Sequence, residues 1–111
     1  MGLSTHILDT SLGRPAANVS LLLSKQAGDG WQEIGRGVTD GDGRCRTLLG
    51  DASLEERSYK LRFEVAPYFA MQNIPALYPY VEIVFAVAEP SQHYHIPLLL
   101  TANGYTTYRG S

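Results

Sequence analysis

Cysteine occurs once, at position 45, so no disulfide can form within the chain, and a lone thiol fits a reducing compartment better than an oxidising one. No apolar run approaches the roughly 20 residues of a membrane-spanning helix. The first residues enter a strand-like pattern directly, with no charged and apolar leader ahead of them. Basic residues are not in excess either: nine Lys and Arg stand against eleven Asp and Glu, and they form no run that would hold a polyanion. These gaps point away from disulfide scaffolds, membrane proteins and nucleic-acid binders, and towards a cytoplasmic protein.

What is present is the pattern of a β protein. Short stretches of period-2 alternation are separated by Gly, Asp, Asn and Pro, which predicts an all-β sandwich or barrel. Residues 59–65 are apolar on odd positions and charged or polar on even ones, and Val81, Ile83, Phe85 and Val87 repeat the scheme, as do Val19, Leu21 and Leu23. Residues 31–38 read as a weaker strand, and Asp40-Gly41-Asp42-Gly43 as a tight turn. One short helix is expected near residues 66–73, with Pro67 at its first position and Asn73 and Pro75 ending it. At 111 residues, with no repeat and no linker, the chain is expected to be one domain, residues 1–111, with a core but no deep private pocket.

Strand parity sorts the chemically capable side chains. Tyr94, Ile96, Leu98 and Leu100 share one face and must be the core side, so His93, His95 and Pro97 point outwards. In the first strand Leu3 and Ile7 are core residues, which turns Ser4, His6 and Leu8 outwards. If Tyr105 packs inwards, Thr106 and Tyr108 point the other way. Taken singly, each is unremarkable: an outward histidine is usually just solvated, with a pKa of about 6.5. Arg44 reads as a solvated turn arginine, and Arg46 has an equal claim to function. Pro97 lacks a ladder donor, which fits an edge strand or a bulge. His93-x-His95 together with His6 offers three zinc ligands, but neither Cys nor any carboxylate beyond Asp9 adds to them, so no metal or other cofactor is expected. Cys45 reads as a small buried hydrophobe. The stretch Tyr108-Arg109-Gly110-Ser111 is polar and chemically capable.

Several motifs resemble one family. They are residues 4–10, STHILDT, with Gly13-Arg14-Pro15-Ala16; Asp42-Gly43-Arg44; residues 78–83, YPYVEI; and the long ending from His93-Tyr94-His95-Ile96-Pro97 through Tyr108-Arg109-Gly110-Ser111. Together they resemble the transthyretin-related proteins over nearly the whole chain, and the Tyr-Arg-Gly-Ser ending resembles their 5-hydroxyisourate hydrolase branch. The resemblance implies a seven- or eight-stranded Greek-key sandwich with one short helix, assembled as a homotetramer, a dimer of dimers around a channel. It also implies that His6, His95 and Tyr108 line the channel wall with Arg44 at its mouth.

The reaction so implied is hydrolysis of 5-hydroxyisourate by water attack on a ring carbonyl. His6, Arg44 and His95 would be catalytic, and His6, Arg44, Tyr108 and Ser111 would bind the substrate. The histidines would activate water, and the arginine would polarise the carbonyl. Arg109, of opposite parity to Tyr108, would anchor the tail to a carboxylate or a neighbouring subunit, and His93 has no assigned role. The alternative is a non-catalytic carrier of a small aromatic ligand on the same fold.

Overall fold

The computed structural model describes residues 2–111 and contains nine strands and one helix. The strands are β1 (Leu3–Asp9), β2 (Arg14–Pro15), β3 (Ser20–Ala27), β4 (Gly30–Val38), β5 (Arg44–Cys45), β6 (Ser58–Phe63), β7 (Val81–Ala86), β8 (Tyr94–Thr101) and β9 (Gly104–Thr107). The helix α1 (Val65–Ala70) follows β6. Two strands, β2 and β5, have only two residues each, so seven longer strands carry the architecture.

They form two sheets, one ordered β2-β1-β8-β9 with β5 also paired to β1, the other ordered β4-β3-β6-β7. The chain passes from sheet to sheet between β2 and β3, between β4 and β5, between β5 and β6, and between β7 and β8. The sequence therefore folds as an all-β sandwich, as the alternation predicts. Leu61, Phe63, Leu23, Ile7 and Leu98 are fully buried between the sheets, where a fully buried residue of this size contributes about 1.5–3 kcal/mol over an exposed one.

Alternation is strict in β1; in β8 it is broken at Pro97, which parity turns outwards but which is buried. In β1 Leu3, Thr5, Ile7 and Asp9 are buried while Ser4, His6 and Leu8 are half-buried on the other face. Two of the buried four are polar and both are satisfied. Thr5 Oγ1 donates to the Ile96 carbonyl at 2.6 Å, and Asp9 accepts from Ser11, Leu12 and the Tyr68 hydroxyl.

Three local expectations need correction. The helix starts at Val65 rather than Ala66, and Pro67 is its third residue rather than its first. That costs nothing, because N–H groups in the first turn have no intrahelical partner to lose. Tyr105 faces the same side as Leu100, opposite it in register, but β9 is the last strand of its sheet, so the ring stays 42% exposed against Tyr78.

Pro97 is the third. It lies in β8, an interior strand between β1 and β9, not at an edge. The regular β8–β9 register runs from Thr101 opposite Gly104 to Leu98 opposite Thr107, and one step further would set Pro97 against Tyr108. There β9 ends, so the missing donor falls where the ladder is broken. The Pro97 carbonyl is instead taken by the Thr107 hydroxyl at 2.8 Å.

Candidate active site

Register brings residues distant in sequence onto one face of the β1 sheet. His6 lies opposite Arg44 across the antiparallel β1–β5 pair, and Ser4 lies opposite His95 across the parallel β1–β8 pair. Directly opposed residues project to the same side. The outer face thus carries Ser4, His6, Arg44 and His95, all half-buried. Cys45, opposite Thr5, turns into the core, and Arg46 lies beyond the two paired residues, so pairing with His6 selects Arg44 over Arg46.

The turn before β5 fixes Arg44. Asp40 Oδ1 accepts the backbone N–H groups of Asp42 at 2.9 Å and Arg44 at 3.0 Å. Gly43 has φ of 73°, and a Cβ there would press on the Ile7 carbonyl and Pro15, so a side chain at this position would lift β5 off β1.

Around His95 the environment is cationic and partly dry. Burial, then the positive charge of Arg44 and the neighbouring His6 and His93, hold its imidazole below the usual histidine range, against a smaller opposing effect from the Ser4 backbone. His95 is therefore neutral at neutral pH, as a proton acceptor must be. The Ser4 hydroxyl stands between two rings, 2.8 Å from His93 Nε2 and 2.8 Å from His95 Nδ1.

The tail crosses over this ring. Gly110 N–H donates to the His95 carbonyl at 2.8 Å. A Cβ on Gly110 would overlap His95 Cδ2 and stand 3.2 Å from Cγ. Arg109 turns the other way, donating to Gln92 Oε1 at 2.8 Å with its guanidinium 4.3 Å from the centre of the Tyr94 ring. It anchors the tail as parity predicts, but through an amide and an aromatic face of its own chain, not a carboxylate. Tyr108 is 55% exposed, and Ser111 is exposed beyond Gly110. Among the described residues no group of three or more His, Cys, Asp or Glu is arranged to hold a metal ion.

Residues 3–110 match the family described as Transthyretin: HIUase/Transthyretin family. The chain belongs to the HIUase/Transthyretin family. Among this family's curated members, the 5-hydroxyisourate hydrolase of Deinococcus radiodurans is 42% identical over 114 residues, covering 99% of this chain and 96% of its own. The structure of Klebsiella pneumoniae 5-hydroxyisourate hydrolase superposes with a TM-score of 0.86 at 33% identity, covering all of both chains. Sea bream transthyretin in complex with thyroxine superposes with a TM-score of 0.91, also at 33% identity, over 99% of this chain and 95% of its own. The HIUase/Transthyretin fold is thus common to a hydrolase and a thyroxine-binding protein, and the side chains on the face must separate them.

For this family member the face offers two imidazoles, that of His95 held below the usual histidine range, and a guanidinium, brought together by strand register. That set can take a proton from water and draw electrons from a carbonyl. Parity had put Ser4 on this face without a role, and its two imidazole partners lie 89 and 91 residues away. Gly110 has no role in the sequence beyond its place in the tail motif. Its significance lies in the imbalance of Tyr-Arg-Gly-Ser: one residue without a side chain, between three that have one.

Proposed function

We propose that this protein hydrolyses 5-hydroxyisourate to 2-oxo-4-hydroxy-4-carboxy-5-ureidoimidazoline in urate degradation, using His6, Arg44 and His95. The activity is that of a hydrolase on a small heterocyclic substrate, in keeping with its curated relatives. The observation that carries the residue assignment is the convergence of a neutral imidazole, a second imidazole and an arginine on one sheet face. A non-catalytic carrier of a small aromatic ligand would have no use for that set.

Catalysis follows from these groups. Arg44, permanently charged and planar, binds the ring carbonyl under attack and stabilises the oxyanion that develops on it. His95 takes a proton from the attacking water, and His6 orients that water from the adjacent strand. Such acid–base help is worth about 10²–10⁴ in rate. Collapse of the tetrahedral species breaks the amide-like C–N bond and opens the six-membered ring. Tyr108 and Ser111 hold the flat ring from the tail. The protein works as a cytoplasmic homotetramer, a dimer of dimers whose sites are shared between subunits. The buried free thiol of Cys45 and the open histidine face support that reading.

The test is optical. With 5-hydroxyisourate generated in place from urate and urate oxidase, this protein accelerates its disappearance, and His95→Ala loses most of that acceleration. Decay no faster than the spontaneous rate rules out the hydrolase reading.

A further inference from the structure

One hydroxyl carries one proton and two lone pairs. Ser4 Oγ, 2.8 Å from His93 Nε2 and 2.8 Å from His95 Nδ1, therefore donates to one neutral imidazole and accepts from the other. Nδ1 of His95 is engaged, which leaves Nε2 as the nitrogen free to meet water or substrate. We infer that Ser4 and His93 form a proton relay behind His95, fixing its tautomer and carrying the charge of the reaction out to an exposed ring. The inference rests on the hydrolase reading and makes Ser4 and His93 positioning residues for it.

The proton balance closes. In the resting arrangement His95 Nδ1–H donates to Ser4 Oγ, and the Ser4 hydroxyl donates to His93 Nε2, leaving lone pairs on His95 Nε2 and a proton on His93 Nδ1. As His95 Nε2 takes a proton from the attacking water, its Nδ1 proton moves to Ser4 and the Ser4 proton moves to His93 Nε2. His93 becomes the cation, and His95 stays neutral with its proton on Nε2. When Nε2–H protonates the leaving ring nitrogen, the shift runs backwards and restores the start. Water has then supplied hydroxide to the carbonyl carbon and a proton to nitrogen.

The surroundings favour this division of labour. The charged or titratable groups that act on His95 are Arg44 on β5, His6 on β1 and His93 ahead of β8; Arg109 is turned onto Gln92 and Tyr94. Burial and the Arg44 charge oppose a cation at His95. His93 is exposed, so water solvates the charge there. A surface serine placed merely for strand structure would have no reason to meet both rings at hydrogen-bond length.

The experiment combines kinetics with a readout independent of turnover. In ¹⁵N-labelled protein, long-range ¹H–¹⁵N spectra report which nitrogen of His95 carries the proton. The Nδ1–H form dominates in the wild type, and Ser4→Ala shifts it towards the Nε2–H form that free imidazole side chains prefer. The same variant lowers kcat/KM by about 10- to 100-fold, part of the roughly 10²–10⁴ available from acid–base help. Ser4→Thr, which keeps the hydroxyl, recovers both. His93→Gln removes one of the neighbours that hold His95 below the usual histidine range, so the acid limb of kcat/KM moves to higher pH. An unmoved His95 tautomer in Ser4→Ala overturns the relay, as does unchanged kcat/KM in that variant. A wild type that does not accelerate 5-hydroxyisourate decay fails the hydrolase reading instead, and the tautomer measurement still judges the relay.

Discussion

At His95 the sign of the electrostatics decides the pH behaviour. Burial first, then Arg44, His6 and His93, disfavour the imidazolium, so the folded pKa lies below the ordinary 6.5. Removing a positive neighbour must raise it. Arg44→Gln is therefore expected to move the acid limb of kcat/KM upwards towards 6.5, while the rate falls by about 10²–10³ through loss of the oxyanion donor. A pH–rate profile measures both, and an acid limb unmoved in this variant would separate Arg44 from His95. Stability carries the same sign, since the unfolded chain binds this proton more readily than the folded one. The His95 contribution is complete above pH 6.5 and is lost as pH falls through the lower folded value. Gly110 supplies a steric counterpart. Gly110→Ala sets a methyl group into the His95 ring, and displacing a reacting group by about 1 Å costs about 10²-fold in rate. The expected result is that loss with little change in Tm, because the tail contributes no core residue; normal turnover in this variant would mean the tail does not set the ring.

Among the elements, the end of β1 is tied to α1 through Asp9. Burial alone would raise this carboxyl, but hydrogen bonds from Ser11, Tyr68 and the Leu12 and Ser11 backbone together hold it below 3.8. Tyr68 responds in kind, its hydroxyl pushed up to about 12 by burial and by the Asp9 hydrogen bond and charge. Hydrogen bonds to charged groups contribute about 1.5–3 kcal/mol, so Tyr68→Phe is expected to destabilise by about that amount in urea unfolding. A folded pKa below 3.8 gives stability that is present above that value and lost as pH falls through the folded one. Tyr68→Phe therefore moves acid unfolding to higher pH, while kcat/KM at pH 7 stays as it was; an unshifted acid transition would count against the Asp9 tie. Elements of this kind were legible in the sequence wherever a single strand's alternation decides them, as in the buried and open faces of β1 and, Pro97 apart, of β8. They were not legible where a second strand decides. Pro97 reads as an edge or bulge residue until β9 is seen to stop beside it, and Ser4 is only an outward serine until His95 of β8 and His93 just ahead of it meet its hydroxyl. Arg44 and Arg46 are equivalent in sequence and are separated only by pairing with His6.

For the molecule as a whole, the question is how a flat substrate can be enclosed. Binding sites for small molecules usually bury about 70–90% of the ligand surface. Here His6, Arg44 and His95 stand on the outer face of a sheet, half-buried and open on the far side. The cleft of about 280 Å³ between β7 and β8, bordered by Ile83, Phe85, Tyr94 and Ile96 and by Tyr108 and Arg109 of the tail, holds none of these three groups. Nothing in the core can be spared to deepen the face, because Thr5, Ile7, Ile96 and Leu98 behind it are already buried. On the proposed dimer of dimers, enclosure comes from a second copy, packed by a twofold axis with the same surface. The expected outcome is concentration-dependent turnover: activity per chain stays constant while sedimentation shows the assembled form and falls as dilution releases monomer. The substrate saturation curve should shift with it, since a monomer presents the same histidines without the opposing wall. Full turnover by a chain shown by sedimentation to be monomeric would mean that one open sheet face suffices, and the shared-site assembly would have to be abandoned.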